Sequence, residues 1–465
     1  GVLEMLTIPG IGHKTVKIIY EQLGITSIAE LVQAVNDKKI RTLPGMGEKS
    51  EYNIQKGIEL LKENTGKFNL GLEFLEYLMT SPDIECGSIV GSIRRGKPLV
   101  SDIDILVASH NFARVIEYTR AYKYIKKVTD VKEDSISGEL GDSVKFEVIM
   151  VAPRDYYHKL IWTTGSKPFR SKFFTNIPEQ ELSGLASESE LFSRQGLKYI
   201  PPELREDRGE LETAKEGNLP QLISQSDIKG DLHVHSEWSD GAEKIQDMAA
   251  AAQKLGYQYI AITDHSKSLT ISGGLNEERL SAQSRVINAL NENAKDFCIL
   301  RGIEVDILKD GTLDFTDDIL ERLDVVIASI HSNFKLDKEL QTERVLKVIK
   351  NKNVNIIGHL TGRLLNRRKG YELDLDKVLE AAAKNNVVLE INAHPDRLDI
   401  DEHVARKTRD YGIKIAINSD AHHKEDLNLM IYGILNARRG WLTPDDVINT
   451  WDKDKLLEFL QKKKA

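Results

Sequence analysis

The sequence predicts a multidomain α/β protein, and three patterns carry that expectation. Seven short β-branched or apolar runs, separated by stretches long enough for helices, fill the C-terminal half. A Pro-Gly-x-Gly turn occurs twice near the start of the chain, 35 residues apart. After it comes a Gly-Ser-Ile-Arg-Arg run, followed by Ser-Asp-Ile-Asp-Ile on a β-rich stretch. A chain of 465 residues exceeds what one core organises. Its composition, 40% hydrophobic and 29% charged, is that of an ordinary globular protein. No apolar run approaches membrane-spanning length, so no membrane partner is expected. Two cysteines, Cys86 and Cys298, make no disulfide framework; with no signal-peptide pattern, a cytoplasmic location is expected. A net charge of −8 argues against bulk nucleic-acid binding, so any such function must rest on local features.

The repeated turn comes first in the chain. Ile8-Pro9-Gly10-Ile11-Gly12-His13-Lys14 returns as Leu43-Pro44-Gly45-Met46-Gly47-Glu48-Lys49, and helical patterns follow at Val16 to Leu23 and Tyr52 to Leu61. Gly10, Gly12, Gly45 and Gly47 let backbone N–H groups approach a phosphate at a helix start. The element resembles a helix-hairpin-helix, which grips DNA backbone without reading sequence. The chain begins with glycine almost directly at this motif, which suggests that the start of a longer protein is missing.

Next, a helix over Leu72 to Met79 and a strand over Ile84 to Val90 lead to Gly91-Ser92-Ile93-Arg94-Arg95-Gly96. Asp102 and Asp104 lie two apart on a β-rich run, so both carboxylates leave the same face. Such a pair can hold two Mg²⁺ or Mn²⁺ ions for in-line phosphoryl transfer. Gly-Ser beside arginines suits a triphosphate tail. The combination resembles a nucleotidyltransferase palm. The resemblance gives Ser92 and Arg95 to the incoming dNTP, Asp102 and Asp104 to the metals, and Gly165 to the Thr164-Gly165-Ser166 turn near the nucleotide. The third palm carboxylate falls on Glu147 in the run Val144 to Val151, where the family usually has Asp. Arg170 and Phe174 stand where the family has asparagine and arginine. The segment that follows is short for a thumb, and Ser183 to Ser193 reads as partly disordered. These departures predict a weakened or silent polymerase half.

In the C-terminal half each β run ends in a potential ligand. His233 and His235 point to one side of the opening run and meet Asp240. Later runs end at His265, Glu304, His331, His359, and Asp420 with His422. A β-then-α series argues for a parallel sheet or barrel, with chemistry at the carboxyl ends of its strands. Mixed imidazole and carboxylate donors suit Mn²⁺, Zn²⁺ or Fe²⁺. The motifs His233-Val-His235, Asp264-His265, Gly302-Ile-Glu304, Ser329-Ile-His331, Gly358-His359 and Ser419-Asp420-Ala-His422 resemble the full set of a PHP (polymerase and histidinol phosphatase) domain. That resemblance implies a distorted (β/α)7 barrel with three metal ions. It assigns His233, His235, Glu304 and Asp420 to one ion, Glu304, His331 and His359 to a second, and Asp240, His265 and His422 to a third. It also implies hydrolysis of phosphodiesters by an activated water. Arg363, Arg367, Arg368 and Lys369 in the loop after the fifth run are expected to hold DNA phosphates, and Asn392, His394 and Asp396 to support the site.

Taken together, the chain resembles a bacterial or archaeal family X DNA polymerase/3′-5′ exonuclease lacking its N-terminal lyase domain. The expected division is fingers over 1–65, palm over 66–165, a reduced thumb over 166–203, a linker over 204–228 and the PHP domain over 229–465. Arg205 and Arg208 of the linker are candidate template contacts, and Pro444 to Lys464 reads as one packed helix. The expected partners are gapped or 3′-ended duplex DNA and dNTP, with the chain acting as a monomer. The alternative is a PHP nuclease or 3′-phosphatase whose palm is only a DNA platform.

Overall fold

The computed structural model describes residues 5, 13–26, 28–48, 50–52, 54–55, 63–141, 144–292, 294 and 296–462. They form two compact units, one of residues 62–221 and one of residues 1–61 with 222–465.

The 62–221 unit is built on a mixed five-stranded sheet. Its strands are β1 (Cys86–Ile89), β2 (Asp102–Ala108), β3 (Ile125–Val131), β4 (Ser135–Leu140) and β5 (Val144–Val151), in the order β1-β2-β5-β4-β3. Only β2 and β5 run parallel. The helix Glu63–Met79 covers one face through Phe74 and Leu78, which join Ile103, Ile105, Val107 and Val148 in the core. β3 and β4 were not anticipated in the sequence. β3 is an edge strand whose residues are mostly exposed, so its polar composition hides the pattern of a strand.

Beyond the sheet, the expected disorder over Ser183 to Ser193 is absent. Ser187 caps a helix, Glu188–Arg194, whose Leu191 and Phe192 are fully buried. The segment read as a linker is also folded, with a helix at Glu210–Lys215 and Arg205 wholly buried. Arg205 is therefore no template contact; its guanidinium donates to Glu188 at 2.6 Å and to the carbonyl of Ile200 at 2.9 Å.

In the other unit, helices His13–Leu23 and Ile28–Asn36 share a small core of Val16, Ile19, Leu31, Ile40, Met46 and Ile54. Gly45 sits at φ +74, where a side chain would be strained, as the second Pro-Gly-x-Gly turn requires. Gly10 and Gly12 of the first turn lie outside the described residues. Ile271 from the barrel portion packs on this same core.

All seven expected barrel strands are present. They are β6 (Gly230–Val234), β7 (Tyr259–Ile262), β8 (Cys298–Asp306), β9 (Val325–Ser329), β10 (Ile356–Ile357), β11 (Val388–Asn392) and β12 (Ile415–Asn418), all parallel and in sequential order. β6 and β12 meet through a bridge between Val234 and Ala421, with the N–H of His235 donating to the Ala421 carbonyl, so the barrel nearly closes. Each strand is buried on both faces, as a sheet wrapped by helices must be. The C-terminal stretch is not one helix: two short 3-10 turns precede the helix Lys453–Lys462. Ile448, Trp451, Leu456 and Leu460 pack with Leu232, Leu300, Ile327 and Ile356, and Asn449 donates to the carbonyls of Gly230 and Ile417.

Candidate metal centre and palm site

The carboxyl ends of the barrel strands bring all nine expected ligands together. Glu304 is the hub. Its Oε1 lies 2.9 Å from His359 Nε2 and 3.2 Å from His331 Nε2, and its Oε2 lies 2.8 Å from His265 Nδ1 and 3.5 Å from His233 Nε2. Asp420 Oδ1 is 3.0 Å from His235 Nε2 and 3.5 Å from His233 Nε2. Asp240 faces His422 at 3.3 Å and His265 at 3.5 Å. Donor atoms held about 2.1 Å from one ion stand roughly 3.0–3.4 Å apart, so these separations suit shared cations. Within this cluster, three groups have donor atoms all within 4.8 Å of one another: His235, Asp240, His265 and His422; His233, His235 and Glu304; and His265, Glu304 and His331. His235 and His265 thus stand between groups that the sequence kept apart.

Three further observations test the fit to metal ions. His233 Nε2, His235 Nδ1, both ring nitrogens of His265, Asp240 Oδ2 and Glu304 Oε2 are buried without a properly directed hydrogen bond. Buried polar atoms normally find partners, so a convergent set of orphans fits a site for cations. Backbone strain is stored here as well: His359 has φ +26 and Asp420 φ +56. Electrostatics agree. Burial opposes charge on every group, yet the carboxylates of Glu390, Asp420 and Glu304 carry His233 well above the ordinary imidazole range. Burial likewise works against Glu304, but His331, His265 and His233 hold it well below the usual carboxylate range. His235 is the exception, pushed down to about 3 by burial and by its neighbours His422 and His265.

An outer layer orients the ligands, and most of it was missed in the sequence. Glu390 accepts from His233 Nδ1 at 2.7 Å and from the backbone N–H of His359 at 2.7 Å. Asp306 accepts from His331 Nδ1 at 2.7 Å, and the Asp420 carbonyl from His422 Nδ1 at 2.8 Å. In each case the other ring nitrogen is left to face the cluster. A lone glutamate inside the apolar run Val387 to Ile391 was the available signal. Asn392, which the sequence did flag, donates to Asp420 Oδ2 at 2.9 Å.

The loop arginines are placed otherwise than expected. Arg363 donates to the carbonyls of Arg397 and Leu398, and Arg367, nearly buried, donates to Asp396 at 3.1 Å. Both guanidiniums hold the loop onto the barrel, which counts against the DNA phosphate contact expected of them. Arg368 lies over the Phe334 ring at 4.1 Å, and burial with repulsion from Arg397 pulls it down to about 10. Arg397, missed in the sequence, reaches to 3.8 Å from Asp420 Oδ2.

In the palm, register places Asp104 opposite Glu147 and Asp102 opposite Lys145. Asp104 is raised to about 6 by burial and by repulsion from Asp102 and Glu147, with Arg95 pulling the other way. A carboxyl destabilised by its own neighbours fits a site for hard divalent cations. Gly91, at φ +62, lets the chain pass Asp104, since a Cβ there would lie 2.1 Å from its Oδ2. Ser92 Oγ is buried without a partner. Arg95 donates from Nε to Glu206 at 2.9 Å and from Nη1 to the Thr164 carbonyl at 2.6 Å. Gly165 follows that carbonyl in a tight turn, where a Cβ would meet Phe169 at 2.5 Å. Arg170 lies over the Trp162 ring at 5.2 Å.

A family model for the PHP domain matches residues 231–394, and one for the SAM-like helix-hairpin-helix tandem matches residues 2–59. The DNA polymerase/3′-5′ exonuclease PolX of Bacillus subtilis is 38% identical over 99% of this chain and 85% of its own length. The chain belongs to the PolX family. A probable phosphatase of Thermoanaerobacter sp. strain X514 is 33% identical over 50% of this chain and 95% of its own length. Among solved structures, the histidinol phosphate phosphatase of Lactococcus lactis, complexed with zinc, L-histidinol and phosphate, matches with a TM-score of 0.35. It is 19% identical over 46% of this chain and 94% of that one. The PolX match runs through both units, whereas the phosphatase likeness covers about half of the chain.

Proposed function

We propose that this chain is a DNA-repair enzyme that shortens 3′ ends by metal-dependent phosphodiester hydrolysis in the barrel and adds nucleotides in the palm. The observation that carries the reading is the convergence of His233, His235, Asp240, His265, Glu304, His331, His359, Asp420 and His422 on one buried rim. Manganese, zinc or iron bound there supplies an acidified water and neutralises charge on the phosphoryl oxygens. The chain's own residues do the rest. Glu390 and Asp306 hold the rings of His233 and His331 in the tautomer that turns Nε2 inward. Arg368 and Arg397, the latter beside Asp420, repel one another, and a phosphate lying between them would relieve that repulsion. We assign the DNA backbone contact to them rather than to Arg363 and Arg367. In the palm, Asp102, Asp104 and Glu147 would hold magnesium or manganese, with Ser92, Arg95 and Gly165 beside the dNTP. Gly45 and Gly47, with Gly10 and Gly12, are assigned to the duplex backbone.

A labelled gapped duplex incubated with Mn²⁺, with and without dNTP, tests both halves in one lane. Asp102→Ala is expected to abolish extension and spare shortening, and His331→Ala to do the reverse. Both activities persisting in both variants would refute the assignment. The hold of Glu206 on Arg95 favours a second reading, a nuclease or 3′-phosphatase with a palm used only as platform. Wild-type extension that stays undetectable with Mn²⁺ selects it.

A further inference from the structure

Arg95 and Glu206 lie 111 residues apart, yet their side chains form a nearly buried ion pair beside the palm carboxylates. The residues just before them are paired as well. Arg94 makes a two-pronged contact with Glu188, at 2.9 and 2.7 Å, and Arg205 holds the same carboxylate at 2.6 Å. The two pairs are built differently. The Arg94–Glu188–Arg205 cluster packs among aromatic rings, with the Arg205 guanidinium 5.2 Å from the Phe192 ring and 5.5 Å from the Tyr199 ring. Glu206 instead has a second cation within reach: Lys97 Nζ stands 3.9 Å from the oxygen that Arg95 holds, on a side chain that is 38% exposed.

We propose that Glu206 is a tethered competitor for the triphosphate position: its carboxylate occupies Arg95 until an incoming nucleotide displaces it onto Lys97. The proposal rests on the palm being a dNTP site. Its basis is the geometry of the guanidinium fork. Arg95 Nε and Nη1 are already committed, to Glu206 and to the Thr164 carbonyl, while Ser92 Oγ on the same short segment is buried without a partner. A triphosphate reaching Ser92 meets an arginine whose charge is already neutralised. A carboxylate fixed on the same chain competes at high effective concentration, so apparent affinity falls. The rigid Arg94–Glu188–Arg205 cluster keeps residues 205 and 206 against residues 94 and 95 throughout. Only the Glu206 side chain needs to move, by rotation towards Lys97.

The test is equilibrium binding to the full chain in Ca²⁺, with two probes, dATP and inorganic triphosphate, and deoxyadenosine as the phosphate-free control. Glu206→Gln is expected to tighten both phosphate probes by about tenfold, the scale of one charge-assisted hydrogen bond, and to leave deoxyadenosine unchanged. Glu206→Asp, which withdraws the charge by one bond length without removing it, should fall between. Lys97→Met should weaken both phosphate probes in the wild-type background and have no effect in the Glu206→Gln background. A lysine that touches the triphosphate directly would weaken them in both, which overturns the exchange. Unchanged or weaker binding in Glu206→Gln overturns the competitor role while leaving the palm as a nucleotide site. Failure of wild type and all variants to bind either phosphate probe overturns the palm reading together with the proposal.

Discussion

The barrel and the palm both gather acidic side chains for cations, but only the barrel is assembled in advance. Its donors come from six strand ends, and among the described residues seven of the nine form three groups whose donor atoms all lie within 4.8 Å of one another. The palm trio of Asp102, Asp104 and Glu147 forms no such group among the described residues. The barrel balances its carboxylates with imidazoles, so burial is tolerable; the palm sets carboxylates against each other, and Asp104 rises to about 6. A site fixed by ring nitrogens with locked tautomers can be buried and complete. A site of carboxylates and a paired arginine must wait for its charged substrate.

The largest expected effect comes from breaking the barrel's hub. Glu304→Gln removes a charge shared by five imidazoles, and should cost most of the bound metal and about a thousandfold or more in 3′-end shortening. Nucleotide addition by the palm should be untouched. Elemental analysis of the purified variant, beside the gapped-duplex assay, checks this. Retained metal with retained shortening would mean that the cluster is structural.

A second, smaller effect separates the palm's scaffold from its chemistry. Burial pushes the Glu188 carboxyl up, but hydrogen bonds and charge from Arg94 and Arg205 overcome this and hold it at about 2, against an ordinary 4.5. A folded-state pKa below the unfolded one stabilises fully above pH 4.5, and the contribution is lost as pH falls towards 2. The shift corresponds to roughly 3 kcal/mol. Glu188→Gln should lower the stability of this unit by a similar amount at neutral pH, because two buried guanidiniums lose their counter-charge. Its melting temperature should also vary less between pH 5 and 3 than that of the wild type. Equal acid sensitivity in both proteins would show that other carboxylates control acid unfolding.

The same contrast explains what the sequence could show. The barrel was legible because most of the expected ligands sit at or just past the end of an apolar run, and a charged residue in that position has few structural uses. Glu390 was passed over because it sits inside its run, and Asp306 because it follows Glu304 at the end of the same strand; only the folded structure shows them turned towards His233 and His331. The palm strand β2 was legible from alternation; β3 was not, since an exposed edge carries no apolar face, and β4, though interior, offers only Ile136 and Leu140 as large apolar residues among Ser, Gly and Glu. Charge was the least legible feature. Arg94, Arg95, Arg205, Arg363 and Arg367 all read as anion contacts, yet each is engaged within the chain. A basic residue announces its charge in the sequence but not its partner, which here lies up to 111 residues away.

The smallest effect tests that last point at the barrel's rim. If Arg367 contacted a DNA phosphate, its removal would release one counterion fewer on binding, and the slope of log K against log salt would flatten by about 0.9. Its guanidinium instead faces Asp396, on a side chain only 6% exposed. Arg367→Gln should therefore leave the salt slope of duplex binding unchanged, and lower thermal stability modestly as Asp396 loses its partner. Arg397→Gln, at a side chain 3.8 Å from Asp420, is the matched comparison and should flatten the slope. Both are read from fluorescence anisotropy of a labelled duplex over a salt series. A flattened slope for Arg367 and an unchanged one for Arg397 would exchange their roles, and restore Arg367 as the DNA contact that the sequence first suggested.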